Sequence, residues 1–318
     1  MKKFLLILFV FTFTIAFYGC REDDTLKDDQ PTVALVLKTL NNPFFIEMQK
    51  GAKEAAQKLK INLIVQAAER EVDVEKQMQI IENLIQRNVS VICVTPSGSK
   101  EIIPAIVKAN KANIPVIIVD TRVDAKLLAE SGGDVATFIG SDNVDGGRLA
   151  GKFIIERLNG KGNLAILEGI PGHETNDARI SGLYDALKNN NGIKILTSQT
   201  ANWERDQGFN VFQNILQAHP EVQALFACND MMALGAVEAI AAAGRTGEIV
   251  VVGFDAIEDS RNAINENKMD GSIAQHPYEM GRISIESAFK IITGKEIPSE
   301  IPIKIELITK ETYKKNIE

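Results

Sequence analysis

The sequence predicts an α/β protein made of two lobes, each with a parallel β-sheet covered by helices. Short apolar runs alternate with segments whose apolar residues recur at helical spacing, which is the pattern of a parallel sheet with covering helices. The strand-like runs are apolar throughout, as expected where helices bury both faces of a sheet. Four or five such units lie before about residue 140 and as many after it, so the 318 residues favour two lobes over one very large sheet.

The first half of the pattern begins at residue 33. Strands are predicted at 33–37, 63–65, 91–94 and 116–119. Helices are predicted between them at 45–59, 74–85 and 102–109. In the second of these helices, Ile80, Ile81, Leu84 and Ile85 lie on one stripe, which is the face expected to pack on the sheet.

The second half repeats the alternation. Strands are predicted at 136–139, 164–167, 193–196, 224–226 and 249–252, and helices at 147–158, 181–187, 208–216 and 231–242. Parallel sheets bind ligands at the carboxyl ends of their strands, so the segments that follow strands are the places to look for a site. Polar residues recur at such places, in segments 41–45, 120–122 and 229–230 and at Asp255.

The first twenty residues differ from the rest. Lys2 and Lys3 precede an uncharged stretch over 4–17, which is shorter than the roughly 20 residues of a spanning helix and suits the core of a signal peptide. Residues 17–20, FYGC, resemble a bacterial lipobox. We therefore predict a signal peptide at 1–19, lipidation at Cys20 and a polar tether over 20–31, which together place the protein in the periplasm or cell envelope, anchored to a membrane. An ordinary secretory leader with a chance cysteine is the alternative.

Composition narrows the class of partners. The formal net charge is −7, and removal of Lys2 and Lys3 with a leader would make the chain more acidic, which argues against nucleic acid and anionic membrane surfaces as partners. Cys93 and Cys228 each lie in a short apolar run and are expected to be separate buried thiols. The three histidines are scattered, so we expect no disulfide framework, no metal site and no cofactor.

Three further residues or pairs have alternative interpretations. Gly146 and Gly147 open a predicted helix but lack the full glycine pattern and the lysine of a phosphate-binding loop, so nucleotide binding is not expected. Asp230 is interpreted as a helix N-cap. Asp142 either caps the next helix or lies at a hinge.

The candidate site residues suit a sugar. A sugar has many hydroxyl groups and apolar ring faces, so its site needs planar groups that form several hydrogen bonds, together with aromatic rings. The sequence offers both kinds of side chain. The aromatic candidates are Phe44, Phe45 and Trp203, and the polar candidates are Asn42, Asp120, Arg122, Arg179, Asn229, Asp255 and Gln275.

At these residues the sequence resembles a known family. Six segments, in order, are similar to the ribose-binding family of type I periplasmic binding proteins: 40–45 (LNNPFF), 114–120 (IPVIIVD), 141–143 (SDN), 226–235 (FACNDMMALG), 251–255 (VVGFD) and 273–275 (IAQ). The resemblance runs from about residue 32 to near residue 310. It implies two Rossmann-like lobes joined by three hinge segments, with lobes at 32–140 plus 276–304 and at 141–275 plus 305–318.

The resemblance also implies roles for the candidate residues. Asn42 would bond sugar hydroxyls, Phe44 would stack on the ring and Phe45 would wall the pocket. Asp120 would accept from two hydroxyls, and Arg179 would donate from the second lobe. Trp203 stands where the family usually has Phe and would cover the other ring face. Asn229, Asp255 and Gln275 would complete the set.

One departure concerns the segment after Asp120. The ribose binder has Arg directly after this Asp, whereas here Thr121 follows and Arg122 comes one residue later. The loop to about residue 136 is also longer and contains Gly132 and Gly133. This region helps to set which sugar fits, so the expected ligand is a pentose, hexose or polyol.

The function implied is that of a monomeric solute-binding lipoprotein that captures a monosaccharide by hinge closure and delivers it to the permease of an ABC importer. A sugar-sensing subunit for a membrane histidine kinase or chemoreceptor is the alternative. A transcription regulator of the Lac repressor class is disfavoured, because the space before the first strand holds a leader and an acidic tether and not a helix-turn-helix. An extracellular sugar-processing enzyme is a further alternative, but no nucleophile–base pair argues for catalysis, and we expect no enzyme.

Overall fold

The strands form two six-stranded sheets. The computed structural model describes residues 30–315, and residues from Pro31 onward belong to one compact unit. The first sheet contains β1 to β5 and β11, at Thr32–Leu37, Asn62–Ala67, Val91–Val94, Val116–Val119, Thr137–Ser141 and Glu300–Ile303. Its strand order is β2–β1–β3–β4–β5–β11, and every pairing is parallel.

The second sheet has the same plan with one exception. It contains β6 to β10 and β12, at Gly162–Glu168, Ile193–Thr200, Ala224–Ala227, Val250–Asp255, Gly271–Ala274 and Glu306–Ile308. Its order is β7–β6–β8–β9–β10–β12, and β12 pairs antiparallel with β10 while the other pairings are parallel. The predicted fold class, two α/β lobes with mainly parallel sheets, is confirmed.

Eleven helices lie among the residues described. They are α1 to α11, at Pro43–Leu59, Val74–Gln86, Ile103–Lys111, Ala125–Glu130, Asn143–Arg157, Glu174–Leu187, Arg205–Ala218, Asp230–Ala242, Glu258–Asn265, Pro277–Ile292 and Lys310–Lys315. In the first lobe α1 packs on α10, and α2 on α3. In the second lobe α5 packs on α6, and α7 on α8. Residues 30–315 include no helix with both the length and the apolar character to cross a membrane.

Both faces of the first sheet are buried, as its continuously apolar strands predict. Along β1, Val33, Leu35 and Leu37 belong to the same apolar cluster as residues of α1 and α10. The alternate residues Ala34 and Val36 belong to a second cluster with residues of α2 and α3. The two-residue period of a strand therefore supplies one face to each helix layer.

A pair of glycines sets the position of α6. A Cβ on Gly147 of α5 would lie 1.9 Å from the carbonyl oxygen of Arg179, and one on Gly182 of α6 would lie 1.9 Å from that of Val144. Only glycine allows the two helix backbones to approach so closely. Gly147 therefore serves helix packing, and this packing positions Arg179.

The chain crosses between the sheets three times. It leaves the first sheet after Ser141, at the end of β5. It returns between β10 and α10, where His276 has a φ of 56°. The third crossing, between β11 and β12, includes Lys304 and Ile305. Nε2 of His276 lies 3.6 Å from Oε1 of Glu306, so the last two crossings are neighbours.

Several elements were not predicted. The segment after Asp120, expected to be a long loop, contains the short helix α4, whose first turn is capped by Asp124 through a bond from the Leu127 N–H (2.9 Å). Helices α4 and α9 are only 6 and 8 residues long, too short for a clear helical period. The predicted signal peptide at 1–19, the lipidation at Cys20 and the tether over 20–31 lie outside the described residues, apart from positions 30 and 31.

Candidate functional site

A small cavity lies between the two lobes. It is bordered by residues that follow the carboxyl ends of strands or begin helices, where ligands of parallel sheets bind. The lining residues are Lys38, Asn42, Phe44, Phe45, Glu71, Asp120, Thr175, Arg179, Trp203, Asn229, Asp255 and Gln275.

The start of α1 forms one wall of the cavity. Asn42 is the N-cap of α1, and its Oδ1 accepts from the Phe44 N–H at 3.0 Å, while its Nδ2 donates to Oε1 of Glu71 at 3.1 Å. Pro43 occupies the first helical position, where no N–H is needed. Phe44 and Phe45 meet edge to face, with ring centroids 5.2 Å apart, so the two rings stand at a right angle beside the cavity.

A buried charge cluster forms the rest of the first lobe's side. The Lys38 ammonium lies 3.8 Å from Oε2 of Glu71 and 3.7 Å from Oδ2 of Asp120. All three residues are less than 9% exposed. Burial raises the pKa of Glu71, although the positive charge of Lys38 opposes that shift. The ammonium lies beyond ordinary hydrogen-bond length from both carboxylates and can still donate to a ligand.

Arg179 is the centre of the second lobe's side. Its Nε donates to Oδ1 of Asn143 at 2.9 Å, and its guanidinium lies 3.7 Å from the centroid of the Phe254 ring. Nη1 lies 3.8 Å from Oδ1 of Asp255, which also accepts from Nε2 of Gln275 at 2.6 Å. Burial raises the pKa of Asp255 well above its ordinary value, with the nearby Arg179 acting in the opposite direction.

Trp203 forms an aromatic wall from the second lobe. The indole lies against Gly169, where an added Cβ would be 2.0 Å from Cζ2 of the ring. The Trp203 carbonyl accepts from Nδ2 of Asn229 at 3.1 Å, and Oδ1 of Asn229 caps α8 through the Met232 N–H. Asn229 therefore links the backbone of Trp203 to the start of α8.

Three of the lining residues have unusual backbone conformations. Asp120, Trp203 and Asp255 have φ angles of 67°, 68° and 108°, in the region that favours glycine. A non-glycine residue in such a conformation costs on the order of 1–3 kcal/mol, and such residues cluster at ligand sites. Their coincidence at one cavity indicates that side-chain placement there is maintained at the expense of stability.

Two polar atoms at this cavity have no partner among the described residues. They are Nε1 of Trp203 and Oε1 of Gln275, a donor and an acceptor. Buried polar atoms are normally hydrogen-bonded, so both indicate a ligand that can accept and donate. The arrangement thus combines aromatic walls with carboxylates, amides and cations, which suits a ring with several hydroxyl groups.

The structure brings together nine of the ten residues predicted to bind the ligand. The nine that line the cavity are Asn42, Phe44, Phe45, Asp120, Arg179, Trp203, Asn229, Asp255 and Gln275. Arg122 is the exception. Its guanidinium lies 3.7 Å from the centroid of the Phe138 ring and pairs with Oε1 of Glu300 at 2.5 Å. Arg122 is therefore held on the first lobe outside the cavity lining.

Three lining residues were missed. Lys38 directly follows an apolar strand, so the strand-end rule that found Asp120 could have found it. Glu71 lies in the charged stretch 69–71, which is typical of a solvated surface. Thr175 carries no sequence signal, because a small polar residue in the first turn of a helix is common.

The structure confirms two of the remaining interpretations and corrects the one for Asp230. Asp142 caps α5 through the Asp145 N–H at 2.9 Å, as one alternative held. Asp230 is not an N-cap, because Asn229 has that role. Its carboxylate instead accepts from the Ile257 N–H and from two serine hydroxyls, and burial raises its pKa to about 6. Cys93 and Cys228 are separate buried thiols, as predicted.

Comparisons with known proteins agree on a family. The family described as "Periplasmic binding protein domain" matches residues 33–296. The ribose import binding protein of Escherichia coli K12 is 37% identical over 280 residues, which cover 88% of this chain and 91% of that protein. The D-allose-binding periplasmic protein of the same strain is 34% identical over 279 residues, covering 86% and 89%.

A solved structure gives the same result. An ABC transporter periplasmic solute binding protein from Actinobacillus succinogenes, with bound D-allose, has a TM-score of 0.86 and 43% sequence identity to this chain. The match covers 90% of this chain and 100% of that one.

Proposed function

The chain belongs to the periplasmic binding protein family, and we propose that it captures one neutral monosaccharide between its lobes and delivers it to an ABC importer. The relatives are binding proteins of transport systems and not enzymes. One observation carries the proposal: the cavity between the lobes is lined from both sides by aromatic and hydrogen-bonding side chains. Its unpartnered donor at Trp203 and acceptor at Gln275 suit hydroxyl groups, each of which both donates and accepts.

The charges of the lining favour a neutral ligand. Lys38 and Arg179 carry two positive charges, and Glu71, Asp120 and Asp255 are three carboxylates. A sugar phosphate or sugar acid would add negative charge to a buried lining that has no excess of cations, which is costly. A neutral sugar adds hydroxyl donors for the carboxylates and acceptors for the two cations.

Ribose and allose are the first ligands to test. Two relatives are named for these sugars, and the solved structure at 43% identity holds D-allose. D-ribose and D-allose have the same configuration at C2, C3 and C4, so one set of side chains can bind the shared hydroxyls. We infer that the ligand is an aldose of this configuration and that the residues beyond the shared hydroxyls decide between five and six carbons.

Capture requires the lobes to separate. Asp120, Arg179 and Trp203 are each less than 5% exposed, so a ligand cannot reach them while the lobes are in contact. The three crossings at Ser141, at 274–277 and at 303–306 form the hinge about which lobes 32–140 plus 276–304 and 141–275 plus 305–318 would open. The closed shape would then be the form that the permease binds.

The binding experiment uses calorimetry on the folded chain with D-allose, D-ribose, D-glucose and myo-inositol. We expect a micromolar Kd for one sugar of the set, about −8 kcal/mol. Asp120→Ala removes hydrogen bonds to a charged acceptor and should raise that Kd at least about 100-fold. Asp134→Ala is the matched control, because Asp134 is exposed on the same lobe. Equal binding by Asp120→Ala and wild type would refute this site.

Transport is tested in cells. Deletion of the gene should abolish uptake of the labelled sugar, and wild type but not Asp120→Ala should restore it. If uptake persists in the deletion strain while a sugar response is lost, the sensing alternative is correct and the transport proposal is wrong.

We also propose that the chain is exported and anchored through lipidated Cys20. The basic start, the apolar stretch over 4–17 and the FYGC segment support this. Mass spectrometry of the amino terminus of the membrane-bound protein should find an acylated cysteine. Cys20→Ser should release the protein from the membrane fraction, and a Cys20→Ser protein that remains bound would refute anchoring through this residue.

A further inference from the structure

The first turn of α6 connects the two lobes directly, through Glu174 and through the lining residue Thr175. The Glu174 N–H donates to Oγ of Ser99 at 3.0 Å, and the Thr175 hydroxyl donates to Oγ1 of Thr121 at 3.1 Å. Glu174 and Thr175 belong to the second lobe, while Ser99 and Thr121 belong to loops of the first. Both threonines are 3% exposed or less, so the contact is dry.

The same contact reaches a cavity residue. The Thr121 hydroxyl donates to Oδ2 of Asp120 at 3.0 Å. The three groups thus form one directed series, in which Thr175 donates to Thr121 and Thr121 donates to Asp120. Thr121 itself is fully buried and does not line the cavity, so it acts on a ligand only through Asp120.

Asp120 needs such a partner. Its backbone has a φ of 67°, and its other neighbour, the Lys38 ammonium, lies 3.7 Å away, beyond hydrogen-bond length. Among the described side chains, the Thr121 hydroxyl is therefore the group whose hydrogen bond orients the Asp120 carboxylate. A hydroxyl that accepts one hydrogen bond becomes a stronger donor of the next, so Thr175 strengthens the bond that Thr121 gives.

We propose that Thr121 is a positioning residue for Asp120 and that Thr175 completes this positioning when the lobes close. The proposal rests on the proposed capture of a sugar. In the open form the Thr121 hydroxyl holds Asp120 without the support of Thr175, and the sugar is held less firmly. Closure brings the Thr175 hydroxyl to Thr121, orients the carboxylate toward the sugar hydroxyls and slows release. Closure therefore increases the affinity for the sugar through Asp120 of the first lobe, because Thr175 comes from the second lobe.

Isosteric substitutions test this relay. Thr121→Val and Thr175→Val keep the side-chain shape and remove the hydroxyl, while Thr121→Ser and Thr175→Ser keep the hydroxyl. Trp203 is the single tryptophan and lines the cavity, so its emission reports association and dissociation of D-allose or D-ribose in stopped flow. Thr137→Val is the matched control, because Thr137 is fully buried on the first lobe outside the cavity lining.

Each valine variant should raise the Kd about tenfold, mainly through faster dissociation, and each serine variant should stay within about twofold of wild type. Because the two hydroxyls act in series, the double valine variant should be no weaker than the weaker single variant. Additive losses, or serine variants as weak as valine, would overturn the relay. Unchanged melting temperatures without sugar exclude a general loss of folding.

The two proposals fail in different ways. If wild type binds no sugar of the set, the proposed function is wrong. If wild type binds and both valine variants bind equally well, only the relay is wrong.

Discussion

Acid should weaken ligand binding through His173. This residue is the N-cap of α6 in the second lobe, is 5% exposed, and lies beside the backbone of Ser97 in the first lobe. Burial lowers its pKa from 6.5 to about 3, and the positive charge of Lys38 lowers it further in the same direction. Its Nδ1 has no partner among the described residues, so the imidazole is held neutral between the lobes.

The sign and size of the effect follow from linkage. We expect separation of the lobes to expose His173 and to return its pKa to the ordinary value near 6.5. The neutral form that the closed lobes require is fully populated above that pH and is lost as pH falls from 6.5 toward 3. Each pH unit within this window should weaken closure about tenfold. Relative to pH 7.5, the Kd should rise about tenfold at pH 5.5 and about 30-fold at pH 5.0 from this residue alone.

Other groups act in the opposite sense. Burial raises the pKa of Glu71, Glu174 and Asp255, so acid protonates these carboxylates more readily in the closed form and favours closure. Lys38 faces His173 from the first lobe, with Glu71 and Asp120 beside it. A comparison with a variant is therefore needed to isolate the histidine.

The assay measures the Kd of D-allose or D-ribose at pH 7.5 and pH 5.5 in wild type and in His173→Gln. The glutamine stays neutral at both pH values. The ratio of the two Kd values should be about tenfold larger in wild type than in His173→Gln. His219→Gln is the control, because His219 is partly exposed beside Glu221 and should leave the ratio unchanged. Equal ratios in wild type and His173→Gln, within twofold, would refute the reasoning.

Three further predictions concern the walls of the site and the second lobe. Gly169→Ala should displace the Trp203 indole, because the added Cβ would lie 2.0 Å from the ring. The tryptophan emission should shift, and titration should give a sugar Kd at least about tenfold higher than that of wild type. Asp230→Asn should raise the free energy of unfolding by at most about 3 kcal/mol at pH 8, because the raised pKa of about 6 makes the charged Asp230 carboxylate costly in the folded protein as pH rises above 3.8. In thermal melts below pH 4 the variant and wild type should be equally stable, since Asp230 is then neutral in both states. Arg122→Ala should leave the calorimetric Kd within about twofold, because this side chain lies on Phe138 outside the cavity lining; a tenfold loss would restore it to the site.

The architecture and most of the cavity lining could be predicted because they follow local rules. Asp120 and Asp255 were found as polar residues directly after apolar strands, where parallel sheets place their ligands. Trp203 was found because an indole in a polar stretch is unusual. Short helices such as α4 were missed, since six residues carry too little periodicity.

The direction of a side chain is harder to predict than its place along the chain. Arg122 is only two residues from Asp120, but the positive φ at Asp120 turns the backbone, and Arg122 packs on Phe138. Glu71 and Lys38 compensate each other across the sheet, one after β2 and one after β1. Neither residue alone predicts this ion pair, because the pair depends on the register between β1 and β2, which the sequence does not show.

The same buried charges explain why closure and capture depend on each other. When the lobes close, Lys38, Glu71, Asp120, Arg179 and Asp255 all lose water, which is costly for charged groups unless hydrogen bonds replace it. The ion pairs at 3.7–3.8 Å are too long to provide those bonds by themselves. A polyhydroxyl ring supplies them, so we expect the lobes of the sugar-free protein to stay mainly apart and the sugar to shift the population toward closure. A permease that binds only the closed form therefore binds only the protein that carries a sugar. His173 and the threonine relay adjust the stability of that closed form.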